Sequence, residues 1–218
     1  MLNLDLVEKY GRKYLDLQPV HIKPSSKRLL VFDIDETMIH TIDERDPPSM
    51  KGQFKIKIKD QGRCETISVN VRPCLMESLI ELKQIYQIIA FTASEKQYAD
   101  AILDFLDPDG SIFEERLYRH NCVMTPFGYV KDLRIIQNRE LRKVLMIDNS
   151  CLSFAFNVNN GVPILPFYDN TQDEELKHLT YYLNRLDEQN VEDVRIENMK
   201  AFGLMKLREE YSSQMSKK

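Results

Sequence analysis

The stretch RLLVFDIDETMIH, residues 28–40, places four apolar residues directly before three acids in four positions. A short apolar run bounded by polar residues is typical of a buried strand. Asp33 and Asp35 are two residues apart, and side chains at i and i+2 of extended backbone point to the same side. Two carboxylates held this close do not both ionise readily, so one tends to keep a proton near neutral pH. Such a pair suits a reaction that attacks an electrophile and protonates its leaving group.

Apolar strands alternate with amphipathic helices along the rest of the chain. Buried strands are predicted at residues 29–32, 87–94, 144–150 and 162–165, with a shorter one at 115–120. Because these strands alternate with stretches of helical periodicity, we expect an α/β fold, a Rossmann-like parallel sheet with helices on both faces. The runs FKIKIK and CETISVNV predict an inserted β-hairpin at about residues 54–71.

The domain organisation that this pattern favours has three parts. We expect a helical lead-in over residues 1–22, one domain over residues 23–190 and a helical tail over residues 191–218. No second domain fits this length, and we find no internal repeat.

Bulk composition excludes several classes of protein. With a formal net charge of −4, the 218-residue chain has no general attraction for nucleic acid. No apolar run approaches the roughly 18 residues that a membrane span needs, and the N-terminus lacks the apolar core of a signal peptide. The four cysteines form no C-x-x-C pair, which indicates reduced thiols and argues against zinc. We therefore expect a nuclear or cytoplasmic protein without direct nucleic-acid contacts; its oligomeric state stays open.

Oxygen-bearing side chains follow three of the predicted strands. The two aspartates end the first strand, Thr92 and Ser94 end the second, and Asp148 and Asn149 end another. Ligands of doubly wound sheets bind beyond the carboxyl ends of the strands, where these side chains would meet. Hard oxygen ligands of this kind suit Mg²⁺, which takes few protein ligands and keeps several waters.

Four motifs in this order resemble the small C-terminal-domain phosphatases (FCP/SCP-like, NLI-interacting-factor-like) of the haloacid dehalogenase superfamily, with their Asp-x-Asp-x-Thr signature. The motifs are DIDET at 33–37, FTAS at 91–94, YVKDL at 129–133 and IDNS at 147–150. The resemblance covers about residues 24–190. It implies the haloacid dehalogenase fold and a Mg²⁺-dependent protein serine/threonine phosphatase. The substrate it implies is a phosphorylated protein or peptide, such as the RNA polymerase II tail.

The resemblance also implies roles for individual residues. Asp33 would be the nucleophile that forms an aspartyl-phosphate, and Asp35 would protonate the leaving oxygen and then activate water. Lys131 would balance charge on the nucleophile and on the transferring phosphoryl group. The phosphate- and substrate-binding residues implied are Thr92, Ser94, Arg119 and Lys131. The residues implied to hold Mg²⁺ are Asp33, Asp35 through its backbone carbonyl, Asn149, and Asp148 through water.

Three positions depart from the family pattern. Cys151 stands where proline is usual, either as a packing substitution or as a thiol close enough to the site for oxidation to inhibit it. Glu95 stands where an apolar residue is common, and Asp43 where an aromatic residue lines the groove. We therefore expect a more acidic groove mouth and a peptide substrate with basic flanks.

Two other functions compete with the phosphoprotein phosphatase. A catalytically silent adaptor would bind phosphopeptides without hydrolysing them, although the intact acidic motifs argue against it. A small-metabolite phosphatase of the same superfamily would need a cap domain over the site. The segment between the first motif and the helix that begins near residue 74 is too short for one.

Overall fold

The computed structural model describes residues 18–60 and 62–203. Most of the predicted N-terminal lead-in and the end of the predicted C-terminal tail lie outside these residues. A five-stranded parallel sheet in the order β10–β9–β1–β5–β6 forms the centre. Its strands are β1 (Arg28–Phe32), β5 (Tyr86–Phe91), β6 (Phe113–Leu117), β9 (Val144–Asp148) and β10 (Gly161–Pro163).

The strand carrying the first motif lies at the middle of this sheet. β1 pairs with β5 on one side and with β9 on the other, so that Phe32 is in register with both Ala90 and Ile147. The chain first builds the sheet outward through β5 and β6, then returns to add β9 and β10. The reversal of direction lies between β1 and β9, which is where doubly wound sheets bind ligands.

Within the described residues, four α-helices flank the sheet. They are α1 (Leu75–Ile85), α2 (Lys96–Leu106), α3 (Glu175–Glu188) and α4 (Val194–Ala201). Apolar residues at helical spacing place one stripe of each helix in the same buried cluster. Leu79, Ile102, Leu183 and Val194 contribute to it. The alternate side chains of β1 feed two clusters, one on each face of the sheet.

The two faces of the sheet are covered differently. All four described α-helices contribute to the first cluster, whereas the second is closed by the 3-10 helix Leu133–Ile135 and by loops. The predicted parallel α/β sheet, covered on both faces, is confirmed. The expectation of helices on both faces needs this refinement, because an apolar strand requires cover but does not specify which element supplies it.

The predicted hairpin forms and belongs to a small separate sheet. β3 (Phe54–Asp60) pairs antiparallel with β4 (Arg63–Val71), and β2 (Ile39–Thr41) pairs with the far side of β4. The alternation in β3 turns Ile56 inward, and Phe54 packs on Phe105 of α2 with ring centroids 5.1 Å apart. The insertion is thus fixed to the main domain through α2.

A two-stranded ribbon, which the sequence pattern did not predict, leads into the third motif. β7 (Val123–Thr125) pairs with β8 (Gly128–Val130), and Lys131 follows directly. The backbone amide of Lys131 donates to the carbonyl oxygen of Ser153 at 2.7 Å. This contact ties the ribbon to the loop that follows β9.

The predicted boundary at residue 190 falls between α3 and α4. Val194 and Asn198 of α4 are fully buried, and the Asn198 side chain donates to the backbone oxygens of Asn159 and Gly161. The described part of the tail therefore packs on the domain. Among the helices of the described ranges, none is long and apolar enough to cross a membrane.

Candidate active site

The predicted site residues meet at the carboxyl edge of the parallel sheet. Asp33 and Thr92 each follow the last residue of a strand, and Asp148 is the last residue of β9. The sheet pattern continues past these strand ends, since the amide of Asp33 donates to the Ile147 carbonyl at 3.0 Å and that of Thr92 to the Leu117 carbonyl at 2.9 Å. The three side chains are therefore mounted on neighbouring, hydrogen-bonded backbone segments.

Lys131 lies between the carboxylates of Asp33 and Asp148. Its ammonium donates to Oδ1 of Asp33 and, at 2.7 Å, to Oδ2 of Asp148. All three residues are buried, with 1% of Lys131, 6% of Asp33 and 1% of Asp148 exposed. Buried charges persist when they are paired in this way. When both carboxylates are ionised, they share one ammonium and the cluster carries a net negative charge.

Electrostatics in this cluster favour an additional cation. Burial raises the pKa of Asp33 to about 7; Lys131 opposes this shift, whereas Asp148 and Asp35 add to it. For Lys131, the two carboxylates outweigh burial and raise its pKa, so the ammonium stays charged. A divalent cation beside Asp33 would offset the remaining repulsion and favour the carboxylate anion.

The oxygens near Asp33 fit the ligand set implied for Mg²⁺. The Thr37 hydroxyl donates to Oδ2 of Asp33 at 3.0 Å and also lies 3.4 Å from Oδ1 of Asn149. One hydroxyl hydrogen satisfies only one of these acceptors well, so an oxygen lone pair remains available. Both oxygens of Asp148 already accept hydrogen bonds, from Lys131 and from the Ser150 amide, which suits a contact through water.

Within the described ranges, no group of three or more His, Cys, Asp or Glu side chains is arranged to hold a metal ion. A cation at this edge would therefore depend on mixed carboxylate, carbonyl and amide oxygens together with water. Mg²⁺ accepts such a set.

Asp35 lies among hydroxyl groups. Its Oδ2 accepts from Ser94 Oγ at 2.6 Å and lies 3.4 Å from Thr92 Oγ1, while its Oδ1 accepts from the Tyr98 hydroxyl at 2.5 Å. The structure thus brings Thr92 and Ser94 to Asp35 rather than to Asp33. Tyr98 lies in the amphipathic helix α2, and helical periodicity carries no information about the partner of a hydroxyl group.

A buried arginine holds the turn that follows Asp35. Arg72 is 1% exposed and forms two hydrogen bonds with the Asp173 carboxylate, at 2.8 and 2.9 Å. It also donates to the carbonyl oxygens of Thr37 at 3.1 Å and Leu165 at 2.8 Å. Glu36, within the turn, has a positive φ of 54°, a conformation that needs support from its surroundings.

Arg119 lies beside the phosphate-binding candidates but is already engaged. Its Nε donates to the Ala93 carbonyl at 2.6 Å, its Nη1 donates to Glu95 at 2.8 Å, and its guanidinium lies 5.2 Å from the Tyr129 ring. Its side chain is 39% exposed, so substrate could still reach it. The sequence suggested an Arg119 that faces substrate, and the structure adds that Glu95 competes for it.

The two acids expected at the groove mouth each lie beside an arginine, and a more acidic mouth that prefers peptides with basic flanks stays a prediction. Glu95 pairs with Arg119, and Asp43 pairs with Arg45, whose hydrogen bonds lower the pKa of Asp43 to about 2. The sequence pattern missed both partners, since an exposed arginine carries no local signal of its partner. Cys151 is an exposed free thiol, and both interpretations of it stay predictions.

Comparisons with known proteins agree with the motifs. CTD small phosphatase-like protein 2 of Dictyostelium discoideum is 37% identical over 181 residues, which are 81% of this chain and 31% of that protein. The human carboxy-terminal domain RNA polymerase II polypeptide A small phosphatase 1 is 36% identical over 170 residues, which are 78% of this chain and 62% of that protein. The chain thus spans less than two thirds of the length of these relatives.

Solved structures share the fold. The structure of Fcp1, described as an essential RNA polymerase II CTD phosphatase, matches with a TM-score of 0.53 at 18% identity, covering 92% of this chain and 57% of that chain. A fission yeast Fcp1 variant bound to beryllium fluoride matches with the same TM-score and covers 97% and 60%. A model of the NLI interacting factor-like phosphatase family matches residues 28–195, a range that includes all four motifs. The predicted resemblance is thereby confirmed, and the chain belongs to the NLI interacting factor-like phosphatase family.

Proposed function

We propose that the chain is a Mg²⁺-dependent phosphoprotein serine/threonine phosphatase that works through an aspartyl-phosphate on Asp33. One observation carries the proposal: a buried Asp33 paired with Lys131 lies beside Asp35, whose carboxylate is held by hydroxyl groups. Membership of a phosphatase family supports a phosphate monoester as the substrate. These side chains supply a nucleophile and an acid-base group at one edge of the sheet.

The first step transfers the phosphoryl group to the protein. A carboxylate oxygen of Asp33 attacks phosphorus, and the bond between phosphorus and the serine or threonine oxygen breaks. Asp35 gives its proton to the departing oxygen. Thr92 and Lys131 hold the phosphate oxygens, and Lys131 offsets the charge that develops on them. Ser94 contributes through its hydrogen bond to Asp35. Arg119 lies at the mouth of the site, where it would contact the substrate.

The second step regenerates the carboxylate. Asp35, now an anion, takes a proton from a water molecule, and the water oxygen attacks phosphorus. The bond between phosphorus and Asp33 breaks, and inorganic phosphate leaves. Asp35 is protonated again at the end of the cycle.

The residues that would hold Mg²⁺ are Asp33, the carbonyl of Asp35, Asn149, and Asp148 through water. When bound, the ion supplies neutralisation of phosphate charge and alignment of the phosphoryl group for in-line attack. The oxygen lone pair available near Thr37 and the two carboxylates that share the Lys131 ammonium support this assignment.

A protein or peptide is the substrate class that fits an open site. In the described chain, only a three-stranded sheet of short strands is inserted between β1 and α1, so nothing there has the size of a cap domain. The name of the human relative points to the RNA polymerase II tail, and we propose that tail or a similar phosphopeptide. Such a substrate corresponds to action in the nucleus or cytoplasm.

The test combines a metal dependence with a matched pair of variants. Asp33→Asn should abolish the turnover of an aryl phosphate, and it should also abolish the phosphorylated enzyme that an acid quench is expected to trap. Asp104→Asn, on the exposed side of α2, should keep both. Full activity of Asp33→Asn would show that the nucleophile is assigned wrongly. Phosphopeptide binding without any Mg²⁺-dependent turnover would favour the silent adaptor. Preference for sugar phosphates over phosphopeptides would favour a metabolite phosphatase.

A further inference from the structure

Tyr98 connects Asp35 to the inserted sheet. Its hydroxyl lies 2.5 Å from Oδ1 of Asp35 and 2.6 Å from Oγ1 of Thr41. Tyr98 belongs to α2, and Thr41 is the last residue of β2. The ring of Tyr98 packs against the larger core cluster, and this packing fixes the position of its hydroxyl group. The turn after β1, helix α2 and strand β2 thus meet at the Tyr98 hydroxyl.

The direction of these hydrogen bonds follows from the donors available. A tyrosine hydroxyl has one hydrogen, and a carboxylate only accepts, so Tyr98 donates to Asp35. Thr41 must then donate to the oxygen of Tyr98. The result is a directed chain from Thr41 through Tyr98 to Asp35.

The two oxygens of Asp35 have different neighbours. Oδ2 accepts from Ser94 and lies near Thr92, and both of these residues follow β5 at the edge where phosphate is proposed to bind. Oδ1 is turned toward α2 and the inserted sheet, where Tyr98 holds it. With Oδ1 fixed, the carboxyl group cannot rotate freely, and Oδ2 stays directed toward the phosphate side.

We propose that Tyr98 is a positioning residue for proton transfer, and that Thr41 supports it. The pair orients Asp35 so that Oδ2 delivers the proton to the oxygen that leaves phosphorus. This inference rests on the proposed function, because it presumes that Asp35 is the acid. Substrates with a poor leaving group, such as the alkoxide of serine, need that proton, whereas a nitrophenolate departs without it. The role therefore predicts an effect that depends on the leaving group.

The experiment compares Tyr98→Phe with wild type on two substrates, a phosphoserine peptide and p-nitrophenyl phosphate. We expect kcat/KM for the peptide, which reports only the steps up to phosphoryl transfer, to fall about 10- to 100-fold, the equivalent of one hydrogen bond to a charged group. For the nitrophenyl ester we expect a fall of less than about threefold, since its leaving group needs little protonation. Thr41→Val should have a smaller effect of the same kind, and that effect should vanish in the Tyr98→Phe background.

The matched control is Tyr86→Phe, which removes another buried hydroxyl, one that donates to the Leu183 carbonyl at 2.8 Å away from the site. It should leave the ratio of the two rates unchanged. Equal losses of Tyr98→Phe on both substrates, or no loss, would overturn the positioning role and leave the proposed function standing. Absence of turnover by the wild-type protein would overturn both. If Tyr98→Phe melts too low to assay, Thr41→Val decides by the same ratio.

Discussion

Replacing Lys131 with methionine should destabilise the fold by about 3–5 kcal/mol, because it leaves two buried carboxylates without their counter-charge. The Lys131 side chain is 1% exposed, and the carboxylates of Asp33 and Asp148 that it contacts are 8% and 1% exposed. Each lost hydrogen bond to a charged group contributes about 1.5–3 kcal/mol. For an unfolding slope of about 2–3 kcal/mol/M, the urea midpoint should fall by about 1–2.5 M. Urea titration at constant pH, followed by circular dichroism, measures this shift.

A second substitution distinguishes lost charge pairing from lost packing. In Lys131→Met with Asp33→Asn, one of the two carboxylates is gone, so we expect about half of the lost stability to return, while the enzyme stays inactive. Lys96→Met is the control, since Lys96 pairs with Asp100 at the surface and should contribute less than about 1 kcal/mol. Equal midpoints for Lys131→Met and Lys96→Met would refute the reasoning, and so would a double variant less stable than Lys131→Met.

Three further predictions follow from the site. Arg72→Met should lower the free energy of unfolding by about 3–5 kcal/mol in urea titrations, since it removes the hydrogen bonds of a buried guanidinium and leaves Asp173, whose side chain is 11% exposed, without its counter-charge; a change below about 1 kcal/mol would contradict this. Glu95→Gln should cost less than about 1 kcal/mol because the pair is exposed, yet it should lower KM for acidic phosphopeptides by freeing Arg119. An unchanged KM across a peptide panel would contradict that competition. EDTA should abolish turnover in a phosphate-release assay and excess Mg²⁺ should restore it, whereas persistent activity would exclude the metal.

The edge of the sheet could be predicted from the sequence because its determinants are local. The apolar runs that end in Asp33, Thr92 and Asp148 each form a strand whose termination is visible in a few residues. Parallel strands put their carboxyl ends together, so the gathering of these polar groups follows from strand type alone. The gathering of these groups at one edge does not depend on which of the strands are neighbours.

Lys131 and Tyr98 could not be placed by the same argument. Lys131 reaches Asp33 across 98 residues through a ribbon and a loop without marked periodicity, so only the resemblance to a family singled it out. Tyr98 occupies an amphipathic helix, where its ring accounts for its position and its hydroxyl leaves no trace in the pattern. Long-range polar contacts depend on tertiary packing, which sequence periodicity does not describe.

The sequence pattern also could not show that different kinds of element cover the two faces of the sheet. An apolar strand such as β1 shows that both faces are buried, but loops and a 3-10 helix serve that purpose on one face as well as α-helices do on the other. Charge pairing at the groove mouth has the same origin. Glu95 and Arg119 are 24 residues apart, and each reads locally as a solvated charge.

The position of Lys131 explains how the proposed site can function although the described residues include no cap domain. A cap excludes water and so strengthens electrostatic interactions at the reacting atoms. Here the fold itself buries the Asp33 side chain to 8% exposure and supplies its counter-charge from a side chain that is 1% exposed. Desolvation of the proposed nucleophile is thus already present in the domain, whereas Asp35, Ser94 and Asn149 remain half-buried at the rim. A phosphorylated segment of another protein could cover this rim when it binds, and the same argument predicts that free phosphoserine, too small to cover it, is a poorer substrate than a phosphopeptide.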